Sequence, residues 1–395
     1  MRVLVAPDRF AGAVTAAVAA TALAEGWRES VPSDVVRALP LSDGSAGLVD
    51  AVGAALGGRL VPVTVPGPLG AAVPATVLHV PGQAGGTAFV EADQVLGTHL
   101  AADRAEAAVR STTGGLGALV LAALATGAGR VVVGLSVPAA AHDGGAGLLA
   151  QLAGMAGAEP LTSGGLALTG LTPAGAAAAV SAARERLAGV DLVLALSDDA
   201  PLLGLHGAGA VLGQDPAVGP VRAQDLERAL GHGCDVLERA APPIPRRSLL
   251  AVEPRSAGTR LARSPGTGAG GGSAFVLQLL GARPLPGAEV VATAVDLAGA
   301  VAEADLVLTG AAVLDARSLT ASVVATVARA ALPRALPVVA VADEVQTSRR
   351  EVSPLGISAT YEVLDAGRRG RRPGAGEGLG ALRARGARIA RTWSV

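Results

Sequence analysis

The chain has 395 residues, more than one hydrophobic core usually serves, so two domains are expected. Half of its residues are apolar and only 2% aromatic, which leaves Ala, Val and Leu to build the interior; a formal charge of −1 with interspersed signs excludes steering toward a polyanion. All 32 basic residues are Arg, with no Lys and no Asn, so a cationic grip on a phosphate must come from a guanidinium, a metal or a helix N-terminus.

Taken in chain order, the first sixty residues alternate. A strand over 3–6 runs to Asp8, and a helix follows over about 15–29, with Thr15 suited to its N-cap and Val18, Ala22 and Leu23 spaced as one buried stripe. A strand over 35–39 then leads past Leu41 to Asp43, and a helix spans 47–56. The first acid comes too early for a signal peptide.

Residues 60–89 change character, giving short strands at 61–65, 73–80 and 87–90 separated by Pro and Gly, a meander rather than βαβ. Helices over 116–125 and 148–153 and strands over 131–135 and 192–196 follow. The uncharged stretches 111–129 and 160–183 are broken by Gly, Thr or Pro and fall short of membrane spans. Residues 242–263 read as an exposed Pro/Arg-rich excursion that leads to the glycine loop 265–272.

The end of the chain alternates again, with a strand over 305–308, a helix over 318–331, a strand over 338–341 and a last helix near 379–390. Strands that are apolar throughout, separated by helices, imply a parallel sheet covered on both faces. The expected division is an α/β domain from residues 1–60 and 285–395, interrupted by a mixed α/β domain at 61–284. The lone Cys234 and the lack of zinc-like spacing point to a reducing, cytoplasmic setting, and the basic run 368–372 reads as a solvated loop rather than a nucleic-acid site.

Four carboxylates close apolar runs: Asp8, Asp43, Asp143 and Asp315. Two of them open the same phrase, Asp43-Gly44-Ser45-Ala46-Gly47 and Asp143-Gly144-Gly145-Ala146-Gly147, each running into a helix. A carboxylate and glycine turn at a helix start can hold a hydrated cation beside N–H groups that attract phosphate. Ligands of open α/β sheets bind beyond the carboxyl ends of the strands, where these acids are expected to converge. The pattern points to phosphoryl chemistry.

A P-loop and the protein-kinase signature both require Lys and are excluded. Gly266-x-Gly268-x-x-Gly271 fits a dinucleotide fingerprint in spacing only, because no clear strand leads into it and no acid follows at the required distance.

The order of motifs resembles the bacterial glycerate kinases of the two-domain class. The likeness is carried by Ala6-Pro7-Asp8-x-Phe10-x-Gly12, Pro40-Leu41-x-Asp43-Gly44-x-x-Gly47, Gly67-Pro68-Leu69-Gly70, Asp143-Gly144-Gly145-Ala146-Gly147, Pro201-Leu202-Leu203-Gly204-x-x-Gly207-Ala208, Pro265-Gly266-x-Gly268 and Thr309-Gly310-x-x-x-Leu314-Asp315. The resemblance implies a flavodoxin-like domain from the two chain ends, an inserted domain with a restriction-enzyme-like fold, and phosphorylation of glycerate by ATP with Mg²⁺, usually at the 2-hydroxyl. A glycerate-like acid and a nucleotide are the expected partners, without nucleic acid or membrane, and a homodimer is left open.

Departures from the pattern are concentrated in its polar positions. Arg9 and Ala11 stand where the family has Ser and Lys, Ser45-Ala46 where it has Gly-Glu, and Val137-Pro138-Ala139-Ala140-Ala141-His142 where it has Gly-Gly-Ser-Ala-Thr-Asn. Ala200 and His206 replace Asn, Ala311-Ala312-Val313 replaces Glu-Gly-Arg, and Ala321-Ser322 replaces Gly-Lys. The lost groups raise a second reading, a non-catalytic relative that binds a nucleotide or metabolite.

For an active kinase, Asp8 and Asp315 are the candidates for base or second metal ligand. Asp43 and Asp143 are candidates for metal and phosphate positioning, with N–H donors from residues 44–47 and 144–147. Gly44, Gly47, Gly144, Gly145, Gly266 and Gly268 are the expected phosphate-facing glycines, Arg9, Arg317 and His142 the expected phosphate or acid contacts, and Asp199, beside Asp198, completes a metal site with Asp143. Each aspartate reads equally as a helix cap or turn former, each arginine as a solvated loop residue, and His142 as a hydrogen-bonded structural histidine.

Overall fold

The computed structural model describes residues 1–12, 14–242, 260–364 and 375–394. The basic run at 368–372 and most of the excursion at 242–263 lie outside them. Among the described residues there are eleven strands: β1 (Arg2–Pro7), β2 (Val35–Ala38), β3 (Arg59–Pro66), β4 (Ala72–Val80), β5 (Thr87–Glu91), β6 (Arg130–Leu135), β7 (Asp191–Leu196), β8 (Arg283–Pro286), β9 (Leu306–Leu314), β10 (Val338–Val345) and β11 (Ile357–Glu362). The chain forms two compact units, Met1–Gly57 with Pro286–Val395, and Gly58–Leu285.

The first unit holds a sheet of order β11-β10-β9-β1-β2 in which every pairing is parallel. Its inner strands are buried on both faces, and Val3, Val5, Leu306, Leu308, Val339 and Val341 pack with Phe10, Leu23 and Trp27. That two-sided burial is why these strands are apolar without alternation. The helix Ala16–Ser30 begins where Thr15 accepts the Val18 N–H. Val18 itself is 41% exposed, contrary to the expected stripe. The bulky Trp27 sets the inward face, and nine residues at 100° each put position 18 about 180° away from it.

Two strands run further than their apolar cores. β9 continues to Leu314, and β10 pairs with it as far as Val345↔Leu314. A ladder partner supplies the hydrogen bonds that Gly310-Ala311-Ala312 could not specify by side-chain pattern. The strand β11 and the helices Pro173–Arg186 and Pro220–Ala240 also escape the sequence reading.

The second unit contains a sheet of order β3-β4-β5-β6-β7-β8. β3, β4 and β5 pair antiparallel as a meander, whereas β5, β6 and β7 pair in parallel. Its interior is Ala, Val and Leu with Phe275 at the centre. Among the described residues no single helix is long and apolar enough to cross a membrane.

Candidate active site

In the first unit the site begins with the register of β1. Pro7 pairs with Gly310, and the Asp8 N–H donates to the Gly310 carbonyl at 2.8 Å, so Asp8 is the first residue past the ladder. On its other side the chain after β2 stays alongside β1, with Leu39 N–H donating to Val5 O and Leu41 N–H to Pro7 O. Ser42 and Asp43 are thereby delivered next to Asp8. Burial, reinforced by the negative charge of Asp43, raises the Asp8 carboxyl to about 8, against the pull of the Arg9 N–H, which donates to Asp8 Oδ1 at 2.7 Å. A carboxyl group so placed exchanges its proton near neutral pH.

Asp43 is half-buried. Its Oδ1 accepts the Ser45 N–H at 2.9 Å and the Ser45 hydroxyl, while the Gly44 N–H donates to Ser42 Oγ. The Gly44 N–H is therefore already engaged, which corrects its expected role as a phosphate donor. Gly47 is the N-cap of the helix Leu48–Leu56, at φ 95°, a left-handed turn that suits glycine. Among the described residues no donor is found for Asp43 Oδ2 or Asp8 Oδ2, and the exposed Arg9 guanidinium has no ion-pair partner.

Mg²⁺ takes one or two carboxylates and fills the rest of its shell with water and phosphate oxygens. Two adjacent carboxylates, each with an unengaged oxygen and one pushing the other's proton affinity up, fit that donor set. No group of three or more Asp, Glu, His or Cys that could hold an ion by themselves is found among the described residues.

Asp315 sits elsewhere on the same unit. Asp8 is level with Ala311, so Asp315 lies four residues, or about 13 Å, further along β9. It forms a turn in which Oδ1 accepts both the N–H and the hydroxyl of Ser318, and those bonds hold its carboxyl below the usual range. A carboxylate so stabilised is a weak base, and the turn-forming reading describes it. Arg317 is exposed beside it.

The remaining expected residues belong to the second unit, and their geometry is different. Asp143 is fully buried, with Oδ1 accepting Thr113 Oγ1 at 2.9 Å and Gly145 N–H at 3.0 Å, and Oδ2 accepting Thr113 N–H at 2.8 Å and Gly147 N–H at 2.9 Å. Burial raises its carboxyl, opposed by these bonds. With both oxygens saturated, Asp143 has no lone pair directed at a metal, so the metal role expected for it is corrected to a structural one. It ties the start of the helix Gly114–Leu124 to that of Ala146–Leu152.

The phosphate cradle expected over residues 144–147 is corrected for the same reason. Gly144 N–H donates to Gly271 O, Ala146 N–H to Asp143 O, and Gly145 and Gly147 to the Asp143 carboxylate. A Cβ on Gly272 would stand 2.5 Å from Gly144 Cα, so the two glycine turns pack backbone against backbone. Gly266 and Gly268 are buried too, their N–H groups donating to Asp199 O and Ala200 O. These glycines serve close packing rather than phosphate binding.

His142 is buried, and desolvation together with the Arg104 charge lowers its imidazole to about 4, so it is neutral near pH 7. As a neutral group it brings no positive charge to a phosphate. Asp199 is exposed beyond the end of β7 and does not meet Asp143 in a metal cluster; Asp198 Oδ1 accepts the Ala200 N–H.

One residue of the first unit's edge was missed. Asp343 follows the apolar run Val338-Val339-Ala340-Val341-Ala342, the same signature that singles out the other four acids. Its Oδ2 accepts the Ala11 N–H at 2.9 Å.

Comparison with known proteins agrees with the fold. The sequence model described as "Glycerate kinase family" matches residues 3–394. The glycerate kinase of Bacillus subtilis is 32% identical over 369 residues, covering 92% of this chain and 90% of that protein. The glycerate 2-kinase of Escherichia coli is 30% identical over 368 residues, covering 92% and 91%. A solved structure from Salmonella typhimurium LT2, assigned to glycerate kinase 2, superposes with a TM-score of 0.78 at 27% identity and covers 99% of this chain and 98% of its own.

Proposed function

We infer that this chain, which belongs to the glycerate kinase family, phosphorylates glycerate at the expense of ATP, with the carboxyl edge of the parallel sheet as its reacting centre. The observation that carries this reading is the geometry of Asp8 beside Asp43 at the carboxyl end of the parallel sheet, with no donor to one oxygen of each among the described residues. The 2-hydroxyl is the proposed acceptor, by likeness to the Escherichia coli glycerate 2-kinase.

In the proposed reaction Asp8 orients the acceptor hydroxyl and takes its proton as the oxygen bonds to the γ-phosphorus. The bond from that phosphorus to the β,γ-bridging oxygen breaks, and ADP leaves. Phosphoryl transfer asks little more of a protein than positioning and charge neutralisation. Asp43 Oδ2 is the proposed protein ligand of Mg²⁺, which when bound supplies positive charge to the phosphate oxygens. Arg9 is the proposed grip on the substrate carboxylate, through its planar fork. Asp315 with Arg317 is a second polar position on the same unit, holding charge rather than a proton.

The test is glycerate-dependent ADP release by the purified full-length chain with ATP and Mg²⁺, monitored beside a thermal melt. Folded protein that releases no ADP in response to glycerate would reject the reading.

A further inference from the structure

The segment after β1 does not stay over its own strand. Phe10 lies on β9: a Cβ at Gly310 would come within 2.7 Å of Phe10 Cζ and 2.4 Å of Val341 O, so only glycine admits the ring. Phe10 N–H then donates to Val14 O, closing the turn, and Ala11 at its tip reaches the next strand. There the ladder pairs Ala342 with Ala311 and Glu344 with Val313, which places Asp343 level with Ala312 on the far side of β9 from Asp8. The Ala11 N–H donates to Asp343 Oδ2 at 2.9 Å.

Besides the Asp8 N–H bond to Gly310 O, two anchors hold the segment that follows it, one apolar and one polar. The apolar one belongs to the buried cluster that includes Val5, Leu308 and Val341. The polar one is different in kind. A half-buried carboxylate with one backbone donor adds little net stability, since its desolvation offsets the bond. Desolvation does raise the Asp343 carboxyl. Its geometric effect is specific, because it fixes the tip of the crossing turn two residues after Arg9.

We propose that Asp343 is a positioning residue for the reaction, acting through the Ala11 N–H to fix the crossing turn and with it the places of Asp8 and Arg9. This rests on the kinase reading of the same edge, and the test separates the two. Full-length Asp343→Ala and Asp343→Asn are compared with wild type for steady-state kinetics in glycerate and in ATP, and for amide hydrogen exchange of the peptide spanning residues 8–14.

Asn keeps a carbonyl oxygen for the Ala11 N–H. Asp343→Ala is expected to lose about tenfold to a hundredfold in kcat/KM for glycerate, the cost of a small misplacement, while Asp343→Asn stays within about threefold of wild type. The Ala variant should also exchange the Ala11 amide roughly tenfold faster, and the Asn variant should not. Wild-type kinetics in Asp343→Ala, or equal loss in both variants, would overturn the proposal. Should Asp343→Ala not fold, Asp343→Asn decides alone: near-wild-type rates support the hydrogen-bond role and a tenfold loss refutes it. Should the wild type lack glycerate-dependent turnover, the kinase reading falls, and the exchange experiment still decides: unchanged Ala11 protection in Asp343→Ala overturns the anchor.

Discussion

The two Asp-Gly phrases, at Asp43 and at Asp143, are near copies in sequence and opposites in chemistry. Asp43 is half-buried, keeps one oxygen unengaged and presses its charge on Asp8. Asp143 is sealed inside its unit with both oxygens saturated by Thr113, Gly145 and Gly147. The lesson is that a carboxylate at a helix start becomes reactive when its neighbours leave it unsatisfied, and becomes a brace when they do not. Substitutions at the two phrases should therefore fail in different ways, one losing turnover and the other losing the fold.

The sharpest contrast comes from Asp8→Asn. It should lower kcat by about 10²-fold or more, the typical contribution of a positioned base, in a coupled ADP assay. The free enzyme's kcat/KM should rise with pH toward a plateau above about 8, and the variant should lose that limb. Stability should move the other way. Between the ordinary carboxylate value of 3.8 and about 8 the folded state holds a proton that the unfolded chain has released, so stability falls as pH rises across that window. Asp8→Asn should melt higher than wild type at pH 8.5, and a lower melting point there would contradict the assignment.

Asp43→Asn should raise the Mg²⁺ concentration for half-maximal rate by at least about tenfold, with the thermal melt little changed. An unaltered Mg²⁺ titration would remove Asp43 from the metal site. Asp143→Ala tests the other phrase. It leaves the Thr113, Gly145 and Gly147 N–H groups buried without an acceptor and should cost about 3–5 kcal/mol in denaturant unfolding. Loss of turnover with unchanged stability would restore a chemical role to it.

The smallest effect is expected at His142. Its imidazole is lowered from 6.5 to about 4, so in that range the unfolded chain binds the proton and stability falls as pH drops. His142→Gln should flatten the acid side of the melting curve and leave turnover near pH 7.5 within about twofold, as befits a neutral side chain that is not a proton carrier.

Much of the architecture was legible in advance. Apolar runs at β1, β6, β9 and β10 announce buried parallel strands because a strand covered on both faces has no polar side to show. Thr15 marks its helix start, and the Pro and Gly breaks over 60–89 mark the meander. Val18 misled because amphipathic spacing in an Ala-rich helix is weak until one large residue, Trp27, chooses the inward face. Asp343 carried the right local signature and was still overlooked, since the five residues before it resemble any core strand.

Local pattern was enough to specify most of the strands, the α/β class and the family, because periodicity, caps and glycine turns act over a few residues. It could not rank the aspartates. Whether a carboxylate is a base, a metal ligand or a brace depends on donors and charges from distant segments: Thr113 lies thirty residues from Asp143, Asp43 reaches Asp8 from the next strand, and Asp343 meets Ala11 across 332 residues. Desolvation and hydrogen-bond saturation are properties of that assembled surrounding, so only folding assigns them.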